Sequence, residues 1–220
     1  MITGASGGLG AAVVAQFLAR GAIVRAPMME AIAPPHLAVA GVHATPSIDV
    51  GDEAAIRDWY AAQPPPWASI HLVGGFTMAP IGKTSLADFD RMMSMNARTC
   101  FLACREAVIA MRRGAAGGRI VNVVARPAIT PTGGMIAYAA SKAAVASITQ
   151  CLAAEVLNER IWVNAVAPSI IDTAANRASM PDADFDRWPK ADELAHAIAD
   201  LASPANRLTS GALVPLYGMS

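Results

Sequence analysis

The 220 residues carry 17 basic and 17 acidic side chains, and are 54% hydrophobic and only 15% charged. A neutral balance excludes a polyelectrolyte surface for nucleic acid or anionic membrane as the main mode of action. The length suffices for one well-buried domain, and the low charge suggests a large core that extends into an oligomer interface.

The chain opens on a glycine-rich segment, T-G-A-S-G-G-L-G at residues 3–10. Gly4, Gly8 and Gly10 at this spacing allow a tight turn, close approach by a phosphate and contact between helix and strand. The helix that follows, with Val13, Val14, Phe17 and Leu18 at helical spacing and Gly21 as its C-cap, turns free N–H groups and its positive dipole end toward a pyrophosphate. Such a loop follows a strand, yet only Met1 and Ile2 remain to form one. Either the true start lies upstream or neighbouring strands close over a short stub, at a cost in stability.

Further on, strands are expected at residues 23–26, 47–50 (the end of one), 70–73, 119–124, 161–165 and 212–216. Helices are expected at 52–59 behind an Asp52 N-cap, from Ser85 with Asp88 in capping-box position through Val108 and Ile109, and at 138–158 and 189–201. Residues 28–37 read as irregular, and 174–188 as irregular or short-helical. Cys100 and Cys104 sit four apart in the long helix and read as small buried hydrophobes; with Cys151 they make an odd count without CxxC, so no disulfide framework or bound metal is expected. Signal and membrane-spanning segments are lacking, which points to a cytoplasmic protein with no membrane partner. Strands alternate with helices throughout, the pattern of a single-domain, three-layer, doubly wound parallel sheet with a shortened first strand.

The second chemical signal is Y-A-A-S-K at residues 138–142. The i, i+4 spacing puts the Tyr138 phenol and the Lys142 ammonium on one helix face. A phenol of pKa about 10 is a poor acid–base catalyst near neutrality, and a neighbouring cation lowers that value. With the glycine loop, this chain resembles the short-chain dehydrogenase/reductase family: residues 3–10 match its TGxxxGxG loop and residues 138–142 its YxxxK, in the same order and at a similar separation, along essentially the whole length.

The resemblance implies a Rossmann-type fold and an oxidoreductase that passes a hydride between nicotinamide and a carbonyl or alcohol carbon. Tyr138 would be general acid/base, Lys142 would lower its pKa and bind the nicotinamide ribose, and Asn96 would complete a proton relay. Gly4, Ser6, Gly8, Leu9 and Gly10 would hold the pyrophosphate, Asp49 and Val50 the adenine, and Gly74 and Gly75 further cofactor surface. Pro168, Ile171 and Thr173 would lie beside the nicotinamide. NAD and NADP both stay open. The end of the second strand offers Pro27, Met28 or Met29, neither acid nor arginine; Arg25 lies close enough in sequence to pair with a phosphate, and Gly7 fills an often basic position.

Two departures matter. The family's serine thirteen residues before the tyrosine is Ala125 here, which Thr130 or Thr132 could replace if the loop folds inward. V-G-G-F at residues 73–76 stands where N-N-A-G is usual; with T-G-G-M-I-A-Y it resembles the dihydropteridine-reductase branch, so pterin reduction is an alternative. A non-catalytic dinucleotide-binding sensor or scaffold is a further alternative, motivated by Ala125 and the clipped strand. Arg126, Arg177, Met180, Arg187 and Trp188 lie in loops expected to border a small-molecule substrate. Apolar long helices with Ala139, Ala143, Ala146 and Ala153 suggest a homodimer or homotetramer.

Overall fold

The computed structural model describes residues 1–220. In chain order it contains β1 (Ile2–Thr3), α1 (Gly10–Ala19), β2 (Val24–Pro27), β3 (Val42–Thr45), α2 (Glu53–Ala61), β4 (Ala68–His71), α3 (Leu86–Met92), α4 (Thr99–Gly114), β5 (Gly118–Val123), α5 (Arg126–Ile129), α6 (Ile136–Glu155), β6 (Ile161–Pro168), α7 (Ala174–Ser179), α8 (Ala191–Leu201) and β7 (Leu213–Leu216). All strand pairs are parallel. Strands β1, β4, β5, β6 and β7 form one sheet in that order, and β2 and β3 form a two-stranded ladder lying against β1. Across the molecule the order is therefore β3-β2-β1-β4-β5-β6-β7. The winding direction reverses between β1 and β4, where open α/β sheets bind ligands at the carboxyl ends of their strands.

β1 is the expected stub. Ile2 and Thr3 pair with Ile70 and His71, and the ladder is lengthened by the Ile70 amide donating to the Met1 carbonyl and the Leu72 amide donating to the Thr3 carbonyl. Two residues cannot also ladder with β2, so the sheet splits there. Buried Thr3 Oγ1 finds no partner, a local cost of the short strand.

Two cores cover the sheet. Ile120, Val163 and Ala165 join Ile56, Tyr60, Leu102, Met111 and Val145 on the face under α2, α4 and α6. Val121 and Val166 join Val13, Val14, Val24, Leu194 and Ile198 under α1 and α8. The two-residue alternation of a strand sorts Ile120 from Val121. At the amino-terminal edge, buried Arg119 is stacked between Trp67 (4.9 Å) and Trp162 (4.3 Å), and its guanidinium donates to the Asn206 carbonyl.

Several boundaries differ from the sequence expectation. Residues 47–50 are a turn beyond β3, not a strand. Ser47 has φ +58°, and the Asp49 carboxylate accepts from the Gly51 amide at 2.7 Å, an Asx turn that competes with extended pairing. The long helix after Ser85 is interrupted by a π turn at Met93–Arg98. α6 starts at Ile136, stops at Glu155 and leads into a 3₁₀ turn, with Arg160 left-handed beyond it. The loop after β5 contains the short α5, with Pro127 in its first turn. Asp52 and Ser85 do cap their helices: Asp52 accepts from the Ala54 and Ala55 amides, Ser85 from the Asp88 amide. No helix is long and apolar enough to cross a membrane.

Candidate active site

The glycine loop leaves β1 at the reversal point. Gly4 has φ +72°, and a Cβ there would lie 2.7 Å from the Val73 nitrogen; at Gly10 it would lie 2.0 Å from the Ala5 carbonyl oxygen. Backbone thus fills the space that side chains would take. Amides of Gly7 and Gly10 bond back to the carbonyls of Gly4 and Gly7, so Ser6 and Gly8 lie within two successive tight turns, while Leu9 packs into the α1/α8 core. No side chain caps α1, and its amino-terminal dipole end is left to an anion. The cradle fits a dinucleotide pyrophosphate. Across it, Thr173 reaches Gly8, whose Cβ would meet Thr173 Cγ2 at 3.3 Å.

Asn96 sits inside the π turn and is 1% exposed. Its Oδ1 accepts from the Gly75 amide at 2.9 Å, and its Nδ2 donates to the Gly75 carbonyl (3.1 Å) and to Ser141 Oγ (2.9 Å). Ser141 Oγ in turn donates to the Tyr138 carbonyl at 2.7 Å. One amide thereby ties the loop after β4, the π turn and α6 together. The extra residue of a π turn re-aims side chains at functional sites, and here it turns Asn96 inward. A Cβ at Gly74 would be 2.7 Å from Asn96 Oδ1 and 3.1 Å from Lys142 Nζ, so both polar groups converge on the bare backbone of Gly74.

Lys142 is buried, donates from Nζ to the Val123 carbonyl at 2.9 Å, and has its pKa lowered from 10.5 to about 8 by desolvation. Tyr138 stands one turn earlier on the same face. Burial pushes its phenol up to about 12, the opposite direction from the lowering expected of a neighbouring cation. Phe76 packs edge-on against the Tyr138 ring, centroids 4.9 Å apart.

Other expected positions sort less evenly. Asp49 lines an open depression with Gly51, Asp52, Arg57 and Arg98, whereas the Val50 side chain belongs to the core. Pro168 ends β6. Ile171 leans on the α1/α8 core, its carbonyl accepting from Asn176 Nδ2, and Thr173 caps α7. Arg25 turns to Gln63 at the far end of α2 (3.2 Å), away from the strand ends where a ribose phosphate would sit; neighbouring strand residues face opposite sides. Ala125 is buried with an extended backbone. Thr130 and Thr132 are exposed, so neither folds inward.

The expected substrate rim is mostly committed elsewhere. Arg177 forms a forked pair with Asp172 (2.6 and 2.8 Å), which also accepts from Lys190 Nζ at 2.8 Å. Arg187 donates to the Met219 carbonyl, Arg126 stacks on Tyr217, and Trp188 is buried against Phe185. Met180 follows α7 in the same segment. Phe76, Met78 and Met95, all more than a third exposed, were not among the expected site residues. Phe76 touches Tyr138, Met95 lies against Gly75 and Met78 against Gly134; the signal was V-G-G-F itself, whose aromatic follows two glycines.

The family model described as short chain dehydrogenase matches residues 1–184. The chain is 29% identical over 236 residues to a D-threitol dehydrogenase of Mycolicibacterium smegmatis, covering 99% of this chain and 90% of that protein. It is 31% identical over 186 residues to a 2-(R)-hydroxypropyl-CoM dehydrogenase of Xanthobacter autotrophicus, covering 79% and 74%. A solved short chain dehydrogenase/reductase family protein superposes with a TM-score of 0.91 at 25% identity, covering 99% and 94%. ElxO, solved with NADP bound, superposes at 0.87 with 22% identity, covering 99% and 96%, a likeness of fold.

Proposed function

The chain belongs to the short-chain dehydrogenase/reductase family, and from that premise we propose that it is an NAD(P)-dependent reductase or dehydrogenase with Tyr138 as its acid–base group. The observation that carries this reading is the convergence of Asn96 and Lys142 on Gly74 beside the face of α6 that bears Tyr138. When bound, the nicotinamide dinucleotide supplies or accepts the hydride. Tyr138 Oη gives a proton to the carbonyl oxygen during reduction, or takes one from the alcohol during oxidation. Lys142 offers an ammonium that stabilises the phenolate and holds the ribose hydroxyls. Asn96 fixes the loop at Gly75 and, through Ser141, the turn of α6 that carries the phenol. With Ala125 in place of a hydroxyl donor, Tyr138 is the principal donor to the substrate oxygen.

The mouth formed by Phe76, Met78 and Met95 favours an apolar or planar carbonyl substrate over a heavily hydrated polyol. The edge-on contact of Phe76 with Tyr138 supports the pterin reading in particular, because a flat heterocycle can lie against that ring. We place the protein in the cytoplasm, in keeping with its free cysteines and neutral charge, as a homodimer or homotetramer, in keeping with exposed Phe101 and Ile109 on α4. The test is oxidation of NADH and NADPH against a panel of aromatic ketones, sugars and quinonoid pterin. Turnover that Tyr138→Phe abolishes while cofactor binding persists is expected. Turnover unaffected by that change refutes the mechanism, and tight binding without turnover on every substrate favours the sensor or scaffold.

A further inference from the structure

Three side chains that the proposed catalytic arrangement does not use meet in the core near Lys142. His71 closes β4, while Cys100 and Cys104 lie one turn apart on α4. All three are buried, and their donor atoms lie within 4.8 Å of one another. Cys104 Sγ is 3.9 Å from Cys100 Sγ and 3.5 Å from His71 Nδ1. Bonds to zinc of about 2.3 Å (sulfur) and about 2.0 Å (imidazole nitrogen), opened at the tetrahedral angle, set two sulfurs about 3.8 Å apart and a sulfur about 3.5 Å from a nitrogen. Two of the three edges of the triangle therefore already have ligand spacing, and the third closes by a small rotation of Cys100. We propose that His71, Cys100 and Cys104 form a binding site for one zinc-class divalent cation.

The surroundings suit that role. His71 Nε2 lies 2.9 Å from Ser69 Oγ, which lies 2.8 Å from the Tyr60 hydroxyl, the kind of outer hydrogen bonding that fixes a ligating ring. On the other side, His71 Nδ1 lies 2.8 Å from Asn122 Oδ1. In the metal-free chain Nδ1–H donates to Asn122. On binding, that proton moves to Nε2, which then donates to Ser69 Oγ. The imidazole stays neutral, two thiols become thiolates, one cation enters and two protons leave. The completed group carries no net charge and so does not oppose the neighbouring Lys142 ammonium. A water would complete the tetrahedral set.

Cobalt(II) is the probe. Titrated into the purified full chain, it is expected to bind once per chain with a thiolate-to-cobalt charge-transfer band and four-coordinate visible absorption, and zinc should displace it. Release of two protons makes the affinity rise about 100-fold per pH unit below the thiol pKa values. Cys100→Ala, a small change in volume, should weaken binding at least 100-fold with unchanged circular dichroism, while Cys151→Ser on the surface should leave it intact. Absence of the charge-transfer band, full binding by Cys100→Ala, or loss of binding in Cys151→Ser would each overturn the proposal.

Discussion

Lys142→Met is expected to make the cofactor-free protein more stable while removing its activity. Burial lowers the Lys142 pKa from 10.5 to about 8, a difference of about 2.5 units, or roughly 3 kcal/mol at ~1.4 kcal/mol per unit. Below pH 8 the folded chain holds a buried ammonium and carries that whole penalty. Between pH 8 and 10.5 the unfolded chain binds more protons than the folded one, so wild-type stability climbs as pH rises through this window and the penalty is gone above it. Methionine keeps the unbranched stem, carries no charge, and gives up only the bond to the Val123 carbonyl, worth about 1 kcal/mol. The net gain at pH 7 is about 2 kcal/mol, or a melting temperature higher by roughly 5 °C for a domain of this size. Urea unfolding of both proteins at pH 7 and at pH 10.5 measures it. The gain should shrink by the full 3 kcal/mol or so at the higher pH, leaving the variant slightly the less stable. A variant already less stable at pH 7, or a difference that does not change with pH, refutes the reasoning.

Other perturbations probe other parts of the site. Gly10→Ala would put a methyl 2.0 Å from the Ala5 carbonyl and force the phosphate loop open; NADH and NADPH affinity by fluorescence titration should fall at least tenfold, while Gly82→Ala, which meets nothing within 4 Å, should leave it unchanged. Asp172→Asn removes the carboxylate shared by Arg177 and Lys190. Because both cations are well exposed, the loss in stability should be small, but the KM for cofactor should rise more than kcat falls as Thr173 loosens from Gly8. Ala125→Ser restores a hydroxyl at the position of the family's serine; kcat/KM on a simple ketone should rise about tenfold, the worth of one added hydrogen bond, and an unchanged value would show that the substrate does not pass that position.

The parts of the fold that follow from local chemistry are legible in the sequence. Residues 3–10 and 138–142 each carry their own geometry, and Asp52 and Ser85 mark helix starts by side chains that reach only two or three residues. What stayed hidden depends on distant partners. Arg25 sits in a strand whose facing is set by the register of β2 on β3, so its turn toward Gln63 could not be read from its neighbours. The π turn around Asn96 is held by bonds to Gly75 and Ser141, 21 and 45 residues away. Residues 47–50 look like a strand by composition, yet the Asp49 side chain bonds its own backbone. His71 meets Ser69, Asn122 and Cys104 only once β4, β5 and α4 pack together.

The single amide of Asn96 also divides what evolution or a designer can change. Helix α6, the π turn and the backbone at Gly75 are cross-braced through it, so they shift as one piece and tolerate little alteration. Phe76, Met78 and Met95 hang from that piece without side-chain hydrogen bonds of their own, and their exposed tips can be exchanged without disturbing the brace. Substrate preference should therefore be the plastic property of this protein and proton transfer the conserved one, and a combinatorial library confined to those three positions should stay folded while its members part company over which carbonyls they accept.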